Sequence, residues 1–280
     1  MINAQSNSII STLINSNGIL KITLFLIIWG VIWLPIAFPL SRLIKWHPRA
    51  PISNSQKLTL ITSLYLIAPF LAWGVMGQRS LNQILLIFKA SLLHSILLGY
   101  VVGIITIVLI DGIEWGLGWL QWQKPPQLVD SALKTLPLLL LVSLLVASVE
   151  ELIFRGVFVQ FLSQDFNVWL TAVISSLIFA LLHLLWERKD TLAQLPGLFL
   201  MGMVLFYSVT IEGNIALAIG IHGGWVLAIS SLDTLAIYQY NDHVNPWLCG
   251  AKGKPLASLA GLMVLIVTGF ILFFVSSQMV

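Results

Sequence analysis

Leu136-Pro137-Leu138-Leu139-Leu140-Leu141-Val142-Ser143-Leu144-Leu145-Val146-Ala147-Ser148-Val149-Glu150-Glu151-Leu152-Ile153-Phe154-Arg155 is an apolar run of membrane-helix length with three charges set into it. A helix needs roughly 20 mostly apolar residues to cross a hydrocarbon core about 30 Å thick. The apolar character continues to Leu162, so one span is placed at Leu136–Leu162. Glu150 then lies about 14 residues into the helix, roughly 21 Å along it. A charge at that depth costs about 2.5–3.5 kcal/mol on insertion scales, so such residues are rare and mark functional sites.

The rest of the chain supports a lipid setting. Of its 280 residues 58% are hydrophobic and 9% are charged, with a mean hydropathy of +0.96. A soluble domain carries about 25% charged residues, and this chain has too little polar surface to face water. Net charge is +3, but the Lys and Arg residues sit in short loops rather than in a nucleic-acid patch. Cys249 is the sole cysteine, so no intrachain disulfide forms.

Apolar runs place the spans at Leu20–Leu40, Leu58–Met76, Leu92–Ile110, Leu136–Leu162, Val168–Trp186, Leu195–Thr210, Ile215–Leu235 and Leu256–Ser276. The fold class is therefore all-α: a polytopic membrane helix bundle of about eight transmembrane helices, since backbone polar groups in lipid must be satisfied within the segment. Met1 to Ile19 reads as a short polar tail ahead of the first span, not a cleaved signal peptide. Residues 20–130 form N-terminal membrane helices, 131–240 a core holding the intramembrane charges, and 241–280 a polar loop and last helix. Gln78 to Lys89 reads as an amphipathic stretch along the interface. Trp46, Trp115, Trp119, Trp122, Trp186 and Trp247 fall near span ends, as an aromatic belt requires. Arg42, Lys45, Arg49, Lys57, Arg188, Lys189, Lys252 and Lys254 collect in alternate loops, which favours both termini on the non-cytoplasmic side.

Glu151 and Arg155 stand at i and i+4 on one helix face, with Glu on the favoured N-terminal side. Glu150 is rotated about 100° away, so Arg155 cannot serve both carboxylates. Glu150 is left without a local partner, in a setting suited to general acid–base work. The bland alternative is that all three charges lock the bundle together. The next span carries Phe179 and His183, also at i and i+4, and a later span carries His222 beside Gly223 and Gly224. Each His alone is more often structural. Two carboxylates, a guanidinium and two imidazoles at membrane depth are together the ingredients for activating water and stabilising an oxyanion. His94, His243 and His47 read as structural or surface residues.

Glu-Glu-x-x-x-Arg, Phe-x-x-x-His and a later His resemble the CAAX protease and bacteriocin-processing (CPBP, or Abi) family over roughly Leu136 to Leu235. The resemblance implies an intramembrane glutamate-type endopeptidase without a cofactor. Its substrate would be a membrane-associated peptide or protein, prenylated in the case that names the family. Glu150 and His183 would activate water, Glu151 and Arg155 would shape the site, and His222 would help at the oxyanion. The family's last motif usually reads His-x-x-x-Asn or Asp, whereas Val226 stands here. Weakened catalysis, a substitute donor from the Gly223-Gly224 backbone, or a relative that no longer cleaves all follow from that departure. Zinc held by Glu150, His183 and His222 is an alternative, though the chain lacks the His-Glu-x-x-His of common zinc proteases. A non-catalytic membrane scaffold or immunity protein competes, as does a proton-coupled transporter, against which no repeated half is visible. The expected partners are the lipid bilayer and a membrane-bound substrate, with no nucleic acid. The expected location is a bacterial plasma membrane or an internal membrane.

Overall fold

Long apolar segments in lipid have no option but to close their own hydrogen bonds, and the chain does so as helices. The computed structural model describes residues 16–84, 90–185, 191–241, 243–249 and 254–277. Its helices are α1 (Gly18–Leu43), α2 (Asn54–Tyr65), α3 (Ala68–Ile84), α4 (Ala90–Gly116), α5 (Leu128–Glu151), α6 (Val159–Leu162), α7 (Val168–Leu182), α8 (Leu195–Glu212), α9 (Ala216–Thr234) and α10 (Leu259–Ser277), besides a short turn at Pro246–Cys249. Side chains start several of them: Asn17 accepts from Leu20 N, Asn167 accepts from Leu170 N, and Ser53 forms a capping box with Gln56. Gly213, at φ 72°, ends α8 in the left-handed conformation that glycine adopts without strain.

Seven helical segments among the described residues are long and apolar enough to cross a membrane: Gly18–Leu43, Asn54–Gly77, Leu92–Gly116, Leu128–Leu162, Val168–Leu185, Leu192–Glu212 and Ala216–Thr234. The eighth expected span is a shorter apolar helix, Leu259–Phe274. The chain is an all-α, multi-pass integral membrane protein. The central span is longer than expected, at 35 residues, because it begins at Leu128 rather than Leu136. Pro137 sits inside it without ending it. Arg188, Lys189, Lys252, Trp186 and the last part of Gln78–Lys89 lie outside the described residues, as does most of the N-terminal tail.

One element was not expected. Leu120–Trp122 and Tyr238–Tyr240 pair as an antiparallel ribbon, with Gln121 opposite Gln239. The ribbon joins the connection after α4 to the connection after α9, so both must lie at one face of the bundle. The same two helices run parallel. A Cβ on Gly99 would lie 2.6 Å from the Leu217 carbonyl, and one on Gly103 would lie 2.5 Å from that of Ile221. Gly220 and Gly224 face the same seam from the other side. The seam is thus two Gly-x-x-x-Gly pairs, which let the backbones approach and bring His222 into the core.

Candidate active site

The segment after α5 decides the site. Glu150 and Glu151 end α5, and Leu152–Phe158 continues the same rod as a π-helix before α6. A wider turn of this kind re-aims side chains and is frequent at functional sites. Its opened backbone is held by Ser175, whose hydroxyl donates to the Phe154 carbonyl at 2.9 Å. Glu150 lies about 12 residues, or roughly 18 Å, from the far end of the rod at Leu162.

Arg155 is buried and uses two nitrogens on two partners: one donates to Glu151 Oε1 at 3.1 Å and the other to the Gly202 carbonyl at 3.1 Å. Gly202 can present that carbonyl because it packs on Ser176, 2.6 Å from where its own Cβ would be. The Phe179 ring, fully buried, lies 4.7 Å from the guanidinium carbon. Phe179 therefore covers the Glu151–Arg155 pair and edges His183, with ring centres 4.6 Å apart.

Two imidazole nitrogens converge on the other carboxylate. Glu150 Oε2 lies 4.0 Å from His183 Nε2 and 3.8 Å from His222 Nε2. It has no hydrogen-bond partner among the described residues. The far nitrogens of both rings are committed. His183 Nδ1 donates to the Phe179 carbonyl at 2.8 Å, and His222 Nδ1 donates to Glu151 Oε1 at 2.8 Å. A carbonyl can only accept, so His183 Nδ1 carries a proton and Nε2 is the nitrogen turned toward Glu150. The His222 side chain is 3% exposed and that of His183 33%, so the cluster is reached from the His183 side.

Sequence reasoning left Glu150 without a partner, and the structure supplies one. Tyr65, the last residue of α2, donates its hydroxyl to Glu150 Oε1. A tyrosine in an apolar span carries no charge signal, which is why it escaped notice. Val226 is one turn beyond His222 and lines a neighbouring cavity with Asp111 and Glu114. The Gly223-Gly224 backbone cannot act as a substitute donor, because its N–H groups belong to the α9 ladder and the Gly223 face packs on Tyr100. Among the described residues no three His, Cys, Asp or Glu side chains group as a metal site. Four-coordinate zinc, with ligands at about 2.0–2.2 Å, holds donor atoms roughly 3.3–3.5 Å apart. Glu150, His183 and His222, with Glu150–His spacings of 3.8 and 4.0 Å, are the residues that would hold such an ion.

The family model described as type II CAAX prenyl endopeptidase Rce1-like matches residues 132–228. No curated protein and no solved structure matches the chain. Residues 132–228 run from α5 to α9 and hold Glu150, Glu151, Arg155, Phe179, His183 and His222. Over this segment, about a third of its length, the chain is similar to the Rce1-like CAAX prenyl endopeptidases.

Proposed function

We propose that the protein is an intramembrane endopeptidase that hydrolyses a peptide bond in a membrane-associated peptide or protein, using a water activated by Glu150 and His183. The observation that carries this is the convergence of Glu150 Oε2 on two imidazole Nε2 atoms at 3.8 and 4.0 Å. Those spacings exceed a direct hydrogen bond and suit an oxygen held among the three groups. In the reaction, the water oxygen bonds to the scissile carbonyl carbon while its proton passes to Glu150. The carbonyl oxygen becomes an oxyanion beside His222, whose Nε2 donates when the ring is protonated and whose Nδ1 is fixed by Glu151. Glu150 then returns the proton to the amine as the C–N bond breaks. Tyr65 fixes the Glu150 carboxylate from the opposite oxygen. Arg155 keeps Glu151 in place and so acts on His222 through it.

This mechanism needs no cofactor; stoichiometric zinc in purified, chelator-washed protein would replace it with a metal-assisted one. Val226 favours a second reading, a scaffold or immunity protein that retains the fold without cleaving. The test is quantitative membrane peptidomics on cells making the parent or Glu150→Gln at equal levels. Peptide termini that vanish in the variant identify a protease and its substrate. Matching samples, with deletion still changing the cell, give the scaffold reading the lead.

A further inference from the structure

A second group of buried polar residues lies beyond His222 along α9. Asp111 and Glu114 stand at i and i+3 near the end of α4, 7% and 2% exposed. They line a cavity of about 200 Å³ with Trp225, Val226, Tyr238 and Tyr240 among its walls. Glu114 Oε2 accepts from the Tyr240 hydroxyl at 3.3 Å. Its other oxygen, Oε1, and Asp111 Oδ2 are buried with no hydrogen-bond partner among the described residues. Among the described residues no Lys, Arg or His lines the cavity. Burial, then the Asp111 carboxylate, pushes the Tyr238 hydroxyl up to about 12, and burial raises Tyr240 as well, so the ribbon contributes neutral phenols rather than charge.

Two buried carboxyl groups in an apolar wall, with no cationic neighbour among the described residues, either stay neutral or are met by something positive. The size indicates what. The cavity is several times the ~30 Å³ share of one water, so a bare cation would leave it mostly unfilled. Its lining of Trp, Tyr and aliphatic side chains suits the stem of an organic cation, with the aromatic faces adding cation–π attraction. The spacing along α9 also fits: Val226, one turn from His222, and Leu232, ten residues from it, both line the cavity. At 1.5 Å per residue this is roughly 6–15 Å from the catalytic histidine. An extended peptide covers that in about two to four residues.

We propose that this cavity is a specificity subsite that takes the basic side chain, Lys or Arg, of the peptide substrate, about three residues from the scissile bond. That the cation arrives on a peptide rests on the peptidase reading. The acidic, aromatic site itself stands on the cavity and on the one unpartnered oxygen of each of its two carboxyl groups. The substrate class is therefore an apolar, membrane-associated peptide with one basic residue held at a fixed distance from the cleaved bond.

The test is binding, so it does not depend on cleavage. Full-length Glu150→Gln protein in detergent is titrated with a fluorescent apolar peptide carrying one Arg, and with the same peptide carrying neutral citrulline at that position. The Arg peptide is expected to bind about tenfold more tightly or better, as a close pair of desolvated charges allows. Adding Asp111→Asn and Glu114→Gln should bring the ratio to within about twofold. Equal affinities in the protein with both carboxylates overturn the proposal without any further variant, so a misfolded double variant cannot shelter it. A preference that survives in a folded double variant overturns it too. Repeating the titration in phosphatidylethanolamine and phosphatidylglycerol nanodiscs separates the sources of the cation. Loss of the preference in phosphatidylethanolamine alone assigns the cavity to a lipid headgroup amine and overturns the peptide assignment. If the preference stands but Glu150→Gln changes no peptide termini in cells, the cation site survives and the peptidase reading fails.

Discussion

Arg155→Met tests the wiring of the site without needing a substrate. The substitution keeps an unbranched side chain under Phe179 but removes two hydrogen bonds: to Glu151 Oε1 and to the Gly202 carbonyl, each 3.1 Å. It also removes a cation 4.7 Å from the Phe179 ring. Glu151, whose side chain is fully buried, keeps only His222 as a partner. Removing one member of a buried ion pair costs about 3–5 kcal/mol, because the surviving charge is left uncompensated. At roughly 2 °C per kcal/mol for a chain of this size, the midpoint of thermal unfolding in detergent should fall by about 6–10 °C. Adding Glu151→Gln removes the stranded charge. Arg155→Met/Glu151→Gln should therefore melt above Arg155→Met alone, although it carries one more change. Arg155→Lys should not restore the parent midpoint, since one ammonium cannot reproduce a planar fork that reaches two partners in different directions. If Arg155→Met melts within about 2 °C of the parent, or if the two changes simply add, the buried pair is not the lock described here.

Tyr65→Phe keeps the ring and deletes the hydroxyl that reaches Glu150. A hydrogen bond to a charged group is worth about 1.5–3 kcal/mol, so turnover of a substrate found by peptidomics should fall roughly tenfold or more. Unchanged turnover would remove Tyr65 from the machinery. Gly220→Ala puts a Cβ 2.2 Å from the Ile96 carbonyl, where only backbone could yield, and should lower stability by about 1–3 kcal/mol. Gly112→Ala, with nothing within 4 Å, is the neutral comparison; equal melting of the two would refute the Gly seam. Val226→Asn should raise turnover by placing an amide one turn from His222. A neutral or negative effect would mean that the oxyanion is served by His222 without help from this position.

Much of the site is legible because lipid makes charge conspicuous. Glu150, Glu151 and Arg155 stand out in an apolar run, and their helical spacing assigns Arg155 to Glu151, the pair seen at 3.1 Å. The same rule applies to Asp111 and Glu114, but ending the third span at Ile110 places them in a loop, while the helix runs on to Gly116. The π-helix has no sequence marker: Leu152 to Phe158 read as ordinary helix formers apart from Gly156. The ribbon is similarly hidden, since strands of three residues give no alternation to read and their pairing joins positions about 120 residues apart. The seam of α4 and α9 was legible in principle. Gly99 and Gly103, with Gly220 and Gly224, carry the spacing of close membrane-helix contact.

Why two adjacent glutamates can share one site follows from this geometry. Neighbours on a helix point about 100° apart, so they can sit in different electrical surroundings only a few ångströms from each other. Glu151 is enclosed by Arg155 and His222, and in the proposed mechanism it fixes where that imidazole stands. Glu150 has no guanidinium, and it faces two Nε2 atoms with an oxygen not otherwise bonded. Exchanging the two environments would leave a carboxylate tied to a permanent cation where the proposed mechanism takes up and returns a proton. Glu151→Gln should therefore weaken turnover by loosening His222, whereas Glu150→Gln should abolish it, because an amide cannot accept the proton. A Glu150→Gln protein that still cleaved while Glu151→Gln did not would reverse the assignment and make Glu151 the reacting carboxylate.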